Sequence, residues 1–309
     1  MNHPAPTARD NGAMPLPLTD TLVTYPTGSV LDRATVLSVL VRDDDVVVLT
    51  DATPFHPVEP RWPDQGTDLG TLTWPSGSGQ VVEATIGATD GTQLLVGSEV
   101  TVRRGTPGWA FVVAHLLAVD APLPAEGEIV TLTVDGQHRV ALSAGHTACH
   151  VAALALNGAL ADRWRQPLGA GGRTDGLGNP DFDQLAITSS VIQPFGAADT
   201  YRVGKSLRKK GFDPTDLDCA LPTVADRAND LLAGWVAAGA PIELEVSGPR
   251  LTDLRTWICR LPEGIQRIPC GGTHLGSLHE LSAIRVALTF DAAAGELVMT
   301  TEATPAERL

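Results

Sequence analysis

"SAGHTACHVAALALNG", residues 143–158, sets His146 and His150 four apart at the head of an apolar run. Alanine and leucine dominate and β-branched runs are absent. The stretch therefore reads as a buried helix from Ser143 to Trp164, with Ser143 as its candidate N-cap. Residues i and i+4 lie on one helix face, so both imidazoles project from the same side. A buried imidazole needs a partner, and two at this spacing can share one metal ion.

Upstream the pattern is different. Residues 20–140 read as β structure throughout. "ATVLSVLVRDDDVVVLTD" (34–51) is two β-branched runs split by an acidic turn, a hairpin signature. "GQVVEATIGATDGTQLLVGSEVTVRR" (79–104) repeats it around Asp90-Gly91, and "GEIVTLTVDGQHRVAL" (127–142) alternates again around Asp135-Gly136. Short strands at regular spacing predict a small barrel.

Downstream of the helix lies a glycine-rich loop, "GAGGRTDGLGNP" (169–180), lacking the Lys-Ser/Thr ending of a phosphate-binding loop. A second helix is predicted over Thr223–Ala238, with Val224, Ala228, Leu231 and Trp235 at helical spacing. "PIELEVS", "TWICRL", "SAIRVALTF" and "GELVMTT" read as sheet strands. The expected class is α+β. A disordered tail occupies 1–20, an N-terminal small β-barrel 21–140, and an α+β domain with a metal site 141–309.

The 309 residues are 43% hydrophobic and 19% charged, a soluble globular balance. No run approaches the roughly 20 apolar residues a membrane span requires. With no leader-like N-terminus and no disulfide framework among Cys149, Cys219, Cys259 and Cys270, the expected compartment is the cytosol. A net charge of −14 argues against a general nucleic-acid binder, DNA included, though not against a local basic patch. Yet all three lysines fall in "YRVGKSLRKKGF" (201–212), beside Arg202 and Arg208.

"IPCGGTHLG" (268–276) offers Cys270 and His274, again four apart, with Gly271-Gly272 able to turn the chain sharply. Joined to His146 and His150 they make a nitrogen and sulfur set suited to tetrahedral zinc. Cys149, turned away from both histidines, is expected to pack. Cys219 and Cys259 read as ordinary buried thiols, and His279 as a strand-end surface histidine.

"HTACH" and "CGGTH" resemble the HTAxH and CGGTH motifs of the AlaX-type alanyl-tRNA editing proteins and of the editing domains of alanyl-tRNA synthetases; threonyl-tRNA synthetase editing domains are similar. "VLTDATPFHPVEPRWPDQGTDLGTL" (48–72) resembles the family's TxFYPEGGGQPxDxG string, and "VDGQHRVALSAGHTACH" (134–150) its DWxRRxxLMRxHTAxH segment. Thr53, Phe55 and Pro57 match, and Gln65, Asp68 and Gly70 match across three inserted residues. His56 stands for the usual Tyr, and "VEPRWPD" (58–64) replaces the central glycines.

The resemblance implies a zinc-dependent hydrolase, a trans-acting aminoacyl-tRNA deacylase, with Zn2+ on His146, His150, Cys270 and His274. It implies further site residues in Thr147, Thr273, Gln65 and His56, and the acceptor end of charged tRNA as partner. Arg163, Arg165, Arg173, Arg202, Lys205, Arg208, Lys209 and Lys210 are the candidate tRNA contacts. The amino acid is open: serine in alanine-type editing, or a specialised substrate such as threonine or a fluorinated analogue. A zinc hydrolase of a small ester or amide, and a non-catalytic zinc-binding protein, are the competing readings.

Overall fold

The structure, a computed structural model, describes residues 15–42, 45–118 and 123–307. Within these the chain divides into two compact units, Met1–Arg139 with Val246–Leu254, and Val140–Glu245 with Arg255–Leu309. Of the expected tail, residues 1–14 lie outside the described residues. The remainder is no tail: Leu16 is buried, and an Asp20 carboxylate oxygen accepts the Phe111 amide at 2.8 Å.

The first unit is built mainly of strands, from β1 (Leu22–Val23), β2 (Leu31–Val41), β3 (Asp45–Thr50) and β4 (Ala52–Thr53) to β5 (Gly70–Trp74) and β6 (Gly77–Thr89). Then come β7 (Leu94–Val96), β8 (Ala110–Ala118) and β9 (Ile129–Val134). Sheet order is β5-β9-β2-β3-β8-β6, and β5 pairs with β6 to close six strands into a barrel; β7 extends from β6. Alternation turns Val130, Leu132 and Val134 of β9 and Leu72 and Trp74 of β5 into the core. Gly70 permits the β5–β9 contact, since a Cβ there would strike the Thr133 carbonyl oxygen and the Phe55 ring. The returning segment belongs here: Leu251 is buried among the barrel residues and its amide bonds Thr21 O at 2.9 Å.

Asp135-Gly136 is not a hairpin turn. The Asp135 carboxylate accepts the amides of Gln137 and His138 at 2.9 and 3.1 Å, and α1 (Gly136–Ala159) starts directly after β9. An aspartate at this position satisfies the first helical donors, and the chain has no reason to fold back. Ser143 is therefore seven residues inside the helix and caps nothing. The helix also stops before Trp164, followed by a 3-10 turn at Ala161–Arg163.

The second unit holds α1 from Val140 onward, α2 (Phe182–Ala186), β10 (Ile187–Gln193), β11 (Gly196–Arg202), α3 (Lys205–Lys209) and α4 (Leu217–Ala238). β12 (Ile242–Val246), β13 (Arg255–Leu261), β14 (Gly264–Pro269), β15 (Leu281–Asp291) and β16 (Glu296–Pro305) complete it. One sheet runs β10-β11-β16-β15 and a second β12-β13-β14. α4 starts six residues earlier than predicted, because Pro222 removes one hydrogen bond without stopping the helix. Its buried line uses Leu232 rather than Leu231. Asn229 of α4 serves β15, donating to Val286 O at 3.0 Å and accepting the Val286 amide at 2.8 Å. β10, β11 and β14 are strands that the sequence pattern did not reveal. No helix among the described residues is long and apolar enough to cross a membrane.

Candidate metal centre

Helix α1 is buried on nearly every side, with Ala144, Ala148, Val151, Ala152 and Ala155 all within 1% of full burial. Its small residues let other elements come close. A Cβ at Gly145 would strike the Gln193 carbonyl and the Gly196 backbone, so α1 presses directly against the β10–β11 turn. From this packed helix His146 and His150 project one turn apart, their ring centroids separated by 4.8 Å.

The loop after β14 brings the other half. The Cys270 amide bonds Arg255 O at 3.1 Å, which fixes where the CGGTH turn begins. Cys270 Sγ then lies 3.5 Å from His146 Nε2 and 3.3 Å from His274 Nε2. The ligand atoms of His146, His150, Cys270 and His274 all fall within 4.8 Å of one another. Edges of a zinc tetrahedron with these ligand types measure roughly 3.3–3.8 Å, so the closest pairs already stand at ligand spacing. Trp257 walls the cluster, 5.0 Å from the His150 ring and 5.9 Å from that of His274.

His150 carries a further signature. Its Nε2 is enclosed and has no hydrogen-bond partner among the described residues. Burial pushes its pKa down to about 4, so the ring is neutral at pH 7 and holds a lone pair to give. An enclosed polar atom without a partner is costly. A metal ion at the centre of the four donors removes that cost, and the chemistry of the set fits a divalent metal.

Hydroxyls orient the donors. Thr147 is fully buried; its Oγ1 lies 3.3 Å from His274 Nδ1 and accepts the Leu275 amide at 3.1 Å. A metal held by Nε2 would leave the proton on Nδ1, which would then donate to Thr147 as the outer support of the ring. Ser143 Oγ donates to Thr273 Oγ1 at 2.8 Å, tying α1 to the turn. The sequence reading missed Ser143 as a site residue, although it precedes His146 by three and Thr147 by four and so shares their face.

Cys149 faces away from the cluster, as expected. Its Sγ sits 3.4 Å from an Asp199 carboxylate oxygen, and burial pushes the thiol well above its ordinary range. Burial also raises Asp183 to about 6, beside Asp199 and Asp181 and with the Tyr201 hydroxyl donating to it at 3.1 Å. Cys259 is buried, but Cys219 is exposed on α4, contrary to the reading of it as a core thiol. His279 is exposed in a 3-10 turn, its ring lying over Gly239.

His56 and Gln65 lie in the first unit, both buried. The His56 amide donates to Asp68 at 2.5 Å and its ring stands edge-on to Tyr25. Asp68 is paired with buried Arg139, whose Nε donates at 2.7 Å and whose guanidinium also reaches Pro54 O. In the 58–64 stretch that replaces the family's glycines, Arg61, Trp62 and Pro63 are exposed, and Glu59 pairs with Arg104.

The eight cations do not form one group. Arg173 is paired with Asp181 at 2.9 Å, and Arg163 donates to Thr215 O at 2.8 Å. Arg202 and Lys205 are exposed. Arg165, Arg208 and Lys209 line one hollow, with Pro167, Gly169 and Gly211.

No protein-family model matches this chain. It is 25% identical over 254 residues to an alanine–tRNA ligase of Anaeromyxobacter sp. (strain Fw109-5), an alignment covering 82% of this chain and 23% of the ligase. The chain thus spans about a quarter of that relative's length. The likeness is to an alanyl-tRNA synthetase and does not single out the AlaX-type proteins.

Proposed function

We propose that the second unit is a zinc-dependent hydrolase that cleaves the ester joining an amino acid to the terminal ribose of tRNA. One observation carries this: four metal-ligating side chains from segments over a hundred residues apart converge within 4.8 Å. The similarity to alanine–tRNA ligase, which handles an aminoacyl ester of tRNA, points the same way. His146, His150, Cys270 and His274 would hold the ion. When bound, zinc supplies a Lewis acid for an ester carbonyl and lowers the pKa of coordinated water.

The chain's own residues do the rest. Thr147 keeps the proton on His274 Nδ1 and so points Nε2 at the cluster. Ser143 holds Thr273, and with it the turn that carries both Cys270 and His274. The cluster contains no carboxylate and its three imidazoles would hold the ion, so general-base help comes from the ribose hydroxyl beside the ester. The amino acid we carry into the test is serine, as in alanine-type editing, or a specialised one such as threonine or a fluorinated analogue.

The test is deacylation of tRNAs charged with serine, glycine, threonine and fluorothreonine, with and without chelator. Chelator-sensitive release of one amino acid is expected. Release of none by protein carrying one equivalent of zinc overturns the proposal. A structural zinc is the second reading, favoured by the fact that the chain supplies four donors, the number of a closed site. His146→Ala separates the two: a structural site unfolds the unit, whereas a catalytic one loses turnover and keeps its fold.

A further inference from the structure

Beside Arg165 this acidic chain gathers three cations around one hollow. Its volume is about 400 Å³, within the range of small-ligand sites. Arg165, Arg208 and Lys209 line it, all exposed, and none makes an ion pair within 4 Å among the described residues. Arg163 and Arg173, close in sequence, are occupied by Thr215 and Asp181. The acid near this face is Asp213. Its carboxyl is held below the usual range by hydrogen bonds from Thr215, with smaller contributions from Arg163 and Arg165.

The backbone gives the hollow a fixed shape. The Arg165 amide bonds Gly211 O at 3.0 Å and the Gly169 amide bonds Lys210 O at 2.8 Å, stapling 165–169 to 208–211. Both glycines are required. A Cβ at Gly169 would strike the Lys209 carbonyl, and Gly211 has φ +114°, a conformation glycine alone adopts readily. Behind them Trp164 and Phe212 pack ring to ring at 5.2 Å. Three cations are thus held around one concavity by a rigid floor, in a chain whose net charge is −14. Unpaired like charges repel one another, so a polyanion or phosphate between them is favoured.

We propose that this hollow binds a backbone phosphate of RNA through Arg165, Arg208 and Lys209. The inference rests on the tRNA reading above and narrows it from eight cations to three. Two arginines suit a phosphate because each guanidinium offers a planar fork of donors to its oxygens, and Lys209 adds a point charge. Such a contact positions an RNA without reading its sequence.

The experiment uses the full chain and an uncharged RNA minihelix, so that it does not depend on hydrolysis. Arg165→Gln, Arg208→Gln and Lys209→Gln are combined, all at exposed positions, with Arg285→Gln as the control, an exposed cation of β15 outside the hollow. Zinc content and thermal unfolding report the fold. The triple variant is expected to bind roughly tenfold or more weakly at ~100 mM salt, and to flatten the log–log salt slope by about 2–3. The control is expected to match the wild type. Equal affinity and slope in triple variant and wild type overturn the proposal. So does a wild type that binds inorganic phosphate in the hollow but no RNA, which assigns the site to a small phosphorylated ligand. Retained minihelix binding by a chain that releases no amino acid from any charged tRNA would overturn the deacylase reading and leave this site standing.

Discussion

Thr147 Oγ1 touches His274 Nδ1 at 3.3 Å while accepting the amide proton of Leu275, so one buried hydroxyl fixes both the ring and the backbone of a metal-ligand candidate. Thr147→Val keeps the shape and removes the acceptor. Metal affinity is expected to fall on the order of 10–100-fold, with Thr147→Ser restoring most of it. Titration of the metal-free protein with zinc against a competing chelator reads this directly. An unchanged affinity in the Val variant would show that Thr147 serves packing alone.

His150 makes opposite predictions with and without metal. Without metal its enclosed Nε2 lacks a partner, at a cost of about 1–3 kcal/mol. His150→Leu, placed against Trp257, is therefore expected to be at least as stable as the wild type in chelator. In excess zinc the order reverses, because only the wild type gains binding energy. Chemical denaturation of both proteins in both conditions gives the four values needed; a Leu variant that is less stable in chelator contradicts the argument.

His115 sets an acid limit on the barrel. It is fully buried, with Nε2 2.8 Å from Thr53 Oγ1 and Nδ1 3.1 Å from Val48 O, and burial pushes its pKa down to about 4. Its folded pKa lies below the unfolded value of about 6.5, so the unfolded chain binds more protons between these limits. The stability it contributes is complete above pH 6.5 and is lost as pH falls toward 4, about 2 kcal/mol of it by pH 5. His115→Gln is expected to remove this part of the pH dependence of the urea midpoint. A slope between pH 7 and 5 identical to the wild type would count against it.

Gly145 opposes local and tertiary rules. Alanine is the better helix former by about 1 kcal/mol. At this position its methyl would meet the Gln193 and Gly196 backbone, neither of which is a flexible side-chain end. Gly145→Ala is expected to destabilise the second unit by about 3 kcal/mol or more, a lowering of several degrees in Tm. A stabilised variant would mean that α1 does not pack as described.

Much of the barrel was legible because alternation along a strand is a local property. Residues 34–51 pair as the sequence suggests, β2 against β3, and the Asp90-Gly91 turn links β6 to β7. The donor spacing was legible for the same reason: i and i+4 on a helix share a face wherever that helix sits. Asp135-Gly136 misled because an aspartate followed by glycine suits a hairpin turn and a helix start equally. The segment after Asp135 decides between them, through the amides of Gln137 and His138.

What the sequence determined on its own were therefore periodicities and short spacings: a small barrel, a buried helix, two pairs of donors. What only the tertiary structure decided were meetings between distant segments. Cys270 stands 3.5 Å from His146, 124 positions away, and Ser143 holds Thr273 across 130. Leu251 joins the barrel from beyond the second unit's long helix, and Arg165 joins Arg208 and Lys209 in one hollow while Arg173, as close in sequence, pairs with Asp181. Such contacts depend on how whole elements pack and where their glycines allow backbones to approach, and neither leaves a mark within a few residues of chain.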